Sequence, residues 1–441
     1  DFANSALSDI DSLPFFGFHA GSVTDQEQIS NELRYSGTFG RTDVTTGAYY
    51  FNQDVGYDEV RDLPPLSPLT FYGGGYQDHT VYGVFGQVDY ALTDKLTGIL
   101  GLRYANEEKD AGVTYIRPRP ECSVVDRTCS TVGTNPYIPT ENNGFTDSDS
   151  WSNWTPKVGF QYRPTDTTQV YGNYTRGFRS GGYNFRITAP AAFEAIFPAN
   201  KPRSFDAETV DSYEIGVKHQ SPDGRAQINT ALFYTSIKDM QRELNLSDPT
   251  AGVVQTILNT ADAGITGLEI EGRYAFTDHF LVTANIGLID AEYDKVRFDI
   301  SGDGVVDAAD KALALPRVPE TTWGIGFVWD VDLGDRGGLV SRANFQHRDE
   351  FAYSDNNFGW IQAADMVDAN LTWNTPYEGL SVSFYGKNLL DEVTAGGDSQ
   401  IPFGGALSNG VNQPFDAYPA AGTFSPLAKG RRIGLEISLE R

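Results

Sequence analysis

Strict alternation of apolar and polar residues recurs along this 441-residue chain, and it confines the chain to sheet whose two faces meet different surroundings. In 156–163, Pro156, Val158, Phe160 and Tyr162 share one face while Lys157, Gly159, Gln161 and Arg163 share the other. Leu268, Ile270, Gly272 and Tyr274 oppose Glu269, Glu271 and Arg273. Val367, Ala369, Leu371 and Trp373 oppose Asp368, Asn370 and Thr372, and Ile433, Leu435, Ile437 and Leu439 oppose Gly434, Glu436, Ser438 and Glu440. One face is greasy and the other polar or charged.

A soluble sandwich also alternates, so strand length and connections must decide. The pattern predicts about 15 strands, many of them long enough to cross a bilayer at a tilt. Connections alternate between short turns and long segments. Leu92–Lys95, Arg163–Asp166, Ser221–Gly224, Phe276–His279 and Pro376–Glu378 are short and carry turn chemistry. Between them lie 54–79, 109–150, 181–206, 240–261, 295–316 and 390–428. That asymmetry fits an all-β transmembrane antiparallel barrel with short turns on one side of the membrane and long loops on the other. No apolar run is long enough for a transmembrane helix. Tyr90, Tyr104, Tyr162, Tyr274 and Trp373 are the expected aromatic girdle, placed near the short turns or in the strand bodies.

The chain carries 33 Lys plus Arg against 59 Asp plus Glu, a formal charge of -26, which argues against nucleic acid as a partner. It also disfavours strongly anionic substrates and leans towards neutral or cationic ones. The five His residues lack metal-ligand spacing, and no nucleophile elbow or phosphate-binding glycine loop occurs, so no catalysis is expected. Cys122 and Cys129 have no His or further Cys beside them, which makes a local disulfide the natural reading and zinc the lesser one.

The segment Arg176-Gly177-Phe178-Arg179-Ser180-Gly181-Gly182-Tyr183-Asn184 resembles the strand-to-loop signature of TonB-dependent receptors. Glu32-Leu33-Arg34, Gly47-Ala48-Tyr49-Tyr50-Phe51, Gly101-Leu102-Arg103-Tyr104, Ser212-Tyr213-Glu214-Ile215-Gly216-Val217-Lys218 and Gly386-Lys387-Asn388-Leu389-Leu390-Asp391 resemble other barrel segments of that family. Their order covers nearly the whole chain. The resemblance implies a barrel of about 22 strands around an N-terminal plug. On that count residues 1–441 form the C-terminal part of the barrel, beginning on an inward-running eighth strand. The plug and its TonB-engaging motif are not recognisable, and this chain alone is expected not to close. The implied function is active uptake of a scarce substrate such as a siderophore, cobalamin or a carbohydrate, in the outer membrane of a Gram-negative bacterium. The implied partners are membrane lipid, a small-molecule substrate and the TonB complex, the last through the plug. The alternatives are a passive porin or surface-binding barrel, whose basic eyelet ladder is not found, and a secreted soluble β-protein with shorter strands.

Two sets of candidate site residues stand out. Aromatics in the clusters around Phe16 and Phe18, Tyr72 and Tyr76, and Trp360 could stack on a planar ligand or simply anchor long loops. Asp299-Ile300-Ser301-Gly302-Asp303-Gly304-Val305-Val306-Asp307-Ala308-Ala309-Asp310 has the spacing of a twelve-residue calcium loop, nearer to dockerins than to EF-hands. Asp299, Ser301, Asp303, Asp307 and Asp310 would supply side-chain oxygens, Val305 its carbonyl, and Gly304 the sharp turn. The cofactor expected there is Ca2+, in a structural role; an acidic surface loop is the plainer alternative.

Overall fold

The structure, a computed structural model, describes residues 2–9, 18–64, 67–248, 252–357, 359–395, 399–401, 422–424 and 427–440. The chain enters through β1 (Phe2–Asp9), β2 (His19–Phe39), β3 (Thr42–Asp62), β4 (Phe71–Ala91), β5 (Leu96–Pro118), β6 (Gly144–Thr165) and β7 (Thr168–Arg179). A short helix α1 (Pro190–Ile196) lies in the connection to β8 (Glu208–Gln220), which is followed by β9 (Ala226–Asp248), β10 (Gly252–Thr277) and β11 (Phe280–Val296). The single turn α2 (Ala308–Lys311) precedes β12 (Thr321–Asp332) and β13 (Gly338–Arg348). Then come β14 (Phe351–Ala352), β15 (Trp360–Ile361), β16 (Ala364–Asn374), β17 (Leu380–Lys387), β18 (Ser399–Ile401), β19 (Gly422–Phe424) and β20 (Arg432–Leu439).

Sixteen of these strands form one sheet in chain order, from β1 to β13 and on through β16, β17 and β20, with antiparallel neighbours throughout. The sheet bears out the expectation of about 15 strands, with one strand that the pattern did not mark. The extra strand is β1, where Ala3-Asn4-Ser5-Ala6 mixes small and polar residues and leaves no clean alternation to read. The inward run of β2 to the two-residue turn at Gly40 and Arg41 is as expected, and Gly40 takes the left-handed conformation that turn requires at φ 63°. With β1 ahead of it, β2 is the second strand here and not the first. β1 and β20 stand at the two ends of the sheet, with no ladder between them among the described residues.

The outer face states what surrounds the sheet. Leu33 is 75% exposed, Leu100 63% and Leu435 65%, and Leu102, Ile215, Leu232, Ile325 and Phe384 continue the same belt. So much contiguous apolar surface is stable only against hydrocarbon. Two aromatic girdles bound the belt. At the short turns stand Tyr90, Tyr162, Tyr274, Phe276, Trp329 and Trp373. Eight residues farther along the strands, Tyr82 lies opposite Tyr50, Trp154 opposite Tyr104, and Tyr213 between Tyr174 and Tyr234. Ring centroids are 5.5 Å apart in the first pair and 4.9 Å in the second. Tyr104 therefore belongs to a second girdle on the long-loop side, which the alternation alone did not separate from the first.

Above that girdle the hairpins run on. The segment expected as a loop from 54 to 79 is mostly strand, in β3 as far as Asp62 and in β4 from Phe71, and of the loop expected from 240 to 261 both 240–248 and 252–261 are strand. Out of the membrane both faces of a hairpin are polar, so pairing continues where the apolar alternation stops. Disulfide-bonded Cys122 and Cys129 lie in the β5–β6 connection. Asp58, on the outer face of β3, accepts from Ser123 Oγ and from the backbone N–H groups of Val124 and Val125, which clasps that connection to the outside of the wall.

A compact core also sits above the membrane level. Val113 and Tyr115 of β5, Phe145 of β6 and Leu244 and Leu258 of the β9–β10 hairpin enclose Tyr183, Ile187, Phe193, Phe197 and Phe205. The segment 180–207 is thereby folded onto the top of the barrel wall.

Candidate ligand site at the barrel mouth

Charged residues on the lumen face of β3 carry the alternation upward past the apolar belt: Tyr57, Glu59 and Arg61 share one side. Glu59 and Arg61 are both almost fully enclosed. Burial of that kind demands partners, and they converge on Glu59. Its carboxylate accepts from the Arg61 guanidinium, from the Tyr57 hydroxyl and, at 2.7 Å, from Nε of Arg186 in the 180–207 segment. Burial works against the Glu59 carboxylate, but Arg61 and Arg186 outweigh it, so the carboxyl titrates below its ordinary range. Burial alone would likewise lower Arg186; Glu59 and Tyr57 hold it higher than usual. Arg61 lies over the Phe18 ring, 5.6 Å from its centroid.

The segment that brings Arg186 here is pinned at both ends. Lys109 of β5 donates to Ser180 Oγ at 2.9 Å and to the Gly181 carbonyl at 2.6 Å, and Gln241 of β9 donates to the carbonyls of Ser180 and Asp206, each at 2.9 Å. A side chain at Gly181 would overlap the Phe205 carbonyl and the Trp151 ring, which is why the chain has glycine there. Within the segment, Arg203 pairs with Glu194 through two bonds of 2.8 and 3.0 Å and donates to Tyr115 at 3.2 Å. Asn184 exchanges two hydrogen bonds with the backbone of Ile257, tying the segment to the β9–β10 hairpin.

A cavity of about 330 Å3 remains between these parts, lined by Thr24, Val55, Tyr57, Tyr183, Asn184, Phe185, Arg186, Glu243, Thr256 and Ile257. Its walls are aromatic and aliphatic with a few polar groups, the make-up of a small-molecule site. The Tyr183 hydroxyl and Thr256 Oγ1 are enclosed and have no hydrogen-bond partner among the described residues. Burial, then Asp147, Asp149 and Asp110, push the Tyr183 hydroxyl pKa up, so it stays a proton donor.

The sequence-predicted aromatics do not gather in one place. Phe16 lies outside the described residues. Phe18 is buried against Arg61 and belongs to the mouth cluster. Tyr72 and Tyr76 are on the outer-facing side of β4, and Tyr76 lies under the Arg127 guanidinium, 3.5 Å from its ring centroid. Trp360 is 40% exposed and donates from its indole to the Asn357 carbonyl in the turn between β14 and β15. Glu59, Arg61, Arg186 and Thr256 were not singled out from sequence, and Tyr183 stood out only as part of the strand-to-loop signature. The usable signal was Tyr57-Asp58-Glu59-Val60-Arg61, a charged lumen face continuing above the apolar belt.

In the 299–310 loop, Gly302 and Gly304 take positive φ of 79° and 93°. Asp299 accepts from the N–H groups of Gly302, Asp303 and Gly304, and Asp303 from that of Val305. Asp310 is fully buried; one of its oxygens takes the N–H groups of Ile300 and Ser301 and the other that of Asp307. Asp307 caps α2. Among the described residues no three His, Cys, Asp or Glu side chains converge to hold a metal.

A membrane-spanning sheet with two aromatic girdles, short turns on one side and a ligand-sized cavity at the long-loop end defines an outer-membrane β-barrel receptor wall. The chain belongs to the family "TonB dependent receptor-like, beta-barrel", whose model matches residues 2–389. That membership places it in the outer membrane of a Gram-negative bacterium. It is 25% identical over 361 residues to the pesticin receptor of Yersinia enterocolitica, covering 78% of this chain and 46% of that protein. The ferric yersiniabactin uptake receptor FyuA of Yersinia pestis superposes with a TM-score of 0.73 at 19% identity, over 97% of this chain and 56% of that one. The siderophore receptor PiuA of Acinetobacter baumannii gives 0.67 at 16% identity, over 96% and 57%. The chain spans about half the length of the curated relatives it matches.

Proposed function

We propose that this chain is the ligand-binding wall of an active transporter that imports a scarce small molecule, a ferric siderophore being the first candidate. The observation that carries the reading is the mouth cavity, where aromatic walls meet the Arg186–Glu59 pair and where Tyr183 and Thr256, whose enclosed hydroxyls have no hydrogen-bond partner among the described residues, form part of the lining. Because Glu59 and the cavity-lining Glu243 together balance Arg61 and Arg186, the cavity suits a ligand of low net charge that accepts hydrogen bonds from Tyr183 and Thr256. Ligand titration of the complete gene product, with tryptophan fluorescence as the readout, tests this against a panel of ferric siderophores. Binding of one of them, weakened roughly tenfold by Tyr183→Phe through loss of one hydrogen bond, supports the reading. Binding that ignores this substitution and Arg186→Ala overturns the placement.

The remaining partners follow from the same reading. Membrane lipid covers the apolar belt, and a plug domain outside this chain couples the barrel to the TonB complex. No catalytic step is part of this function. A passive porin is the weaker alternative, because the family whose model matches the chain is that of TonB-dependent receptors.

The loop 299–310 we read as a structural Ca2+ site, on the oxygen spacing and the positive φ of Gly304 at the position where calcium loops turn. Asp303 and Asp307 would have to swing towards Asp299 and the Val305 carbonyl. Calorimetry with Asp303→Ala as control decides it: equal heats for the two proteins, or no binding at millimolar calcium, removes the site.

A further inference from the structure

At about 330 Å3 the mouth cavity lies at the lower end of the range of small-molecule sites, roughly 300–1,000 Å3, so it takes one arm of a larger ligand. Two side chains of its lining, Tyr183 and Thr256, are more than nine-tenths buried, and their hydroxyls have no hydrogen-bond partner among the described residues. Enclosed hydroxyls left in that state are completed by a ligand or by ordered water.

The charge around the cavity decides what that arm carries. Glu59 and Glu243 balance Arg61 and Arg186, so the surplus is set at the Tyr183 end. There Asp147, Asp149 and Asp110 all act on the Tyr183 hydroxyl and raise its pKa, which marks a negative field. Asp147 accepts the backbone N–H of Arg203 at 2.8 Å and Asp149 the hydroxyl of Ser204 at 2.6 Å, neutral donors that leave the carboxylate charge in place. Lys109, the cross-strand partner of Asp149, turns its amine to Ser180 and Gly181 instead. The walls point the same way. Tyr57, Tyr183 and Phe185 line the cavity together with the Glu243 carboxylate, and aromatic faces beside a carboxylate attract a cation. Glu243 is held on β9 directly across from Ile257 of β10, which lines the cavity too.

We propose that the ligand arm entering this cavity carries a protonated amine received by Glu243, which makes Glu243 the residue that selects amine-bearing ligands over neutral and anionic ones. The inference rests on the reading of this cavity as the transporter's ligand site. A carboxylate offers about four acceptor positions, so Glu243 can take an ammonium beside the contacts it already has. A neutral acceptor next to the amine meets Tyr183 and Thr256, and an ammonium on a neutral or anionic complex keeps the whole ligand near low net charge. An anionic arm meets the field of Asp110, Asp147 and Asp149 as well as Glu243, and is disfavoured.

Three probes on one phenylethyl stem test this with the complete gene product: phenethylammonium, 2-phenylethanol and 3-phenylpropanoate, titrated by ligand-observed NMR. Comparison of wild type with Glu243→Gln in the same detergent cancels uptake of the probes by the micelle. Phenethylammonium is expected to bind at least roughly tenfold more tightly than the other two, to lose that advantage in Glu243→Gln and to regain part of it in Glu243→Asp. Equal binding of the three, no binding of phenethylammonium, or an advantage that survives Glu243→Gln overturns the inference. Equal weakening of all three in Glu243→Gln marks a merely structural role and overturns it too. Tryptophan-fluorescence titration with ferric siderophores separates the inference from the reading beneath. A siderophore bound through Tyr183, while phenethylammonium ignores Glu243→Gln, overturns the inference alone. Phenethylammonium held through Glu243 with no ferric siderophore bound supports the inference and overturns the siderophore reading.

Discussion

Arg186 reaches across 127 residues of sequence to place its Nε 2.7 Å from Glu59, and that one bond ties the folded segment between β7 and β8 to the lumen face of β3. Three donors share the enclosed carboxylate, so its removal strands more than one of them.

Glu59→Gln leaves the buried Arg61 without its counter-charge and is expected to cost about 3–5 kcal/mol, whereas Arg186→Ala, which removes a half-exposed partner, costs about 1 kcal/mol. Amide hydrogen exchange at the top of β3 and in 183–187 reads both. Because the folded-state carboxyl lies below its usual range, the contact is complete above the ordinary value of 4.5 and is lost as pH falls through the depressed one. Protection of these amides therefore holds at pH 6 and fails only in strong acid.

The Cys122–Cys129 bond closes a small ring, and the expected loss on reduction is at most about 2.5 kcal/mol of loop entropy, confined to the β5–β6 connection. Cys122→Ser/Cys129→Ser should assemble normally while proteolysis near Arg127 speeds up. Peptide mapping without reductant checks the bond itself; two free thiols in protein from the envelope would contradict it.

Asp310→Ala strips three backbone N–H groups of their acceptor in a fully buried position, an expected loss of about 2–4 kcal/mol within 299–310. Burial raises the Asp310 pKa, but the N–H groups of Ser301, Asp307 and Ile300 more than reverse it, so this support too is lost only as pH falls below the ordinary aspartate value. Limited proteolysis of the loop measures the change, and a protected loop in the variant would show that Asp310 is dispensable.

Leu100→Arg puts a charge in the outer apolar belt and is expected to cost about 2–4 kcal/mol in a bilayer. Gln161→Arg, on the lumen side of β6, should be nearly silent. Unfolding from lipid vesicles by urea compares them, and equal losses would contradict the assignment of faces.

The barrel was readable where a residue's surroundings change sharply from one position to the next. Leu268 to Tyr274 and Ile433 to Leu439 alternate because lipid lies on one side and polar lumen on the other. The upper halves of β3, β4, β9 and β10 were not readable as strand, because above the girdle both faces are wet and only backbone pairing persists. The candidate site was harder. Phe18 was noticed as an aromatic, but its partner Arg61 and the Glu59–Arg186 contact join segments far apart in sequence, and no local pattern encodes that distance. Asp310 was legible as a carboxylate at a meaningful spacing; that it holds three backbone donors emerges only from the fold.

Energy-dependent uptake tests the central claim most directly. The complete gene, expressed in a Gram-negative host lacking its own siderophore receptors, should confer uptake of a radiolabelled ferric siderophore that disappears when TonB is deleted and falls in Arg186→Ala. Uptake that persists undiminished without TonB would contradict the account.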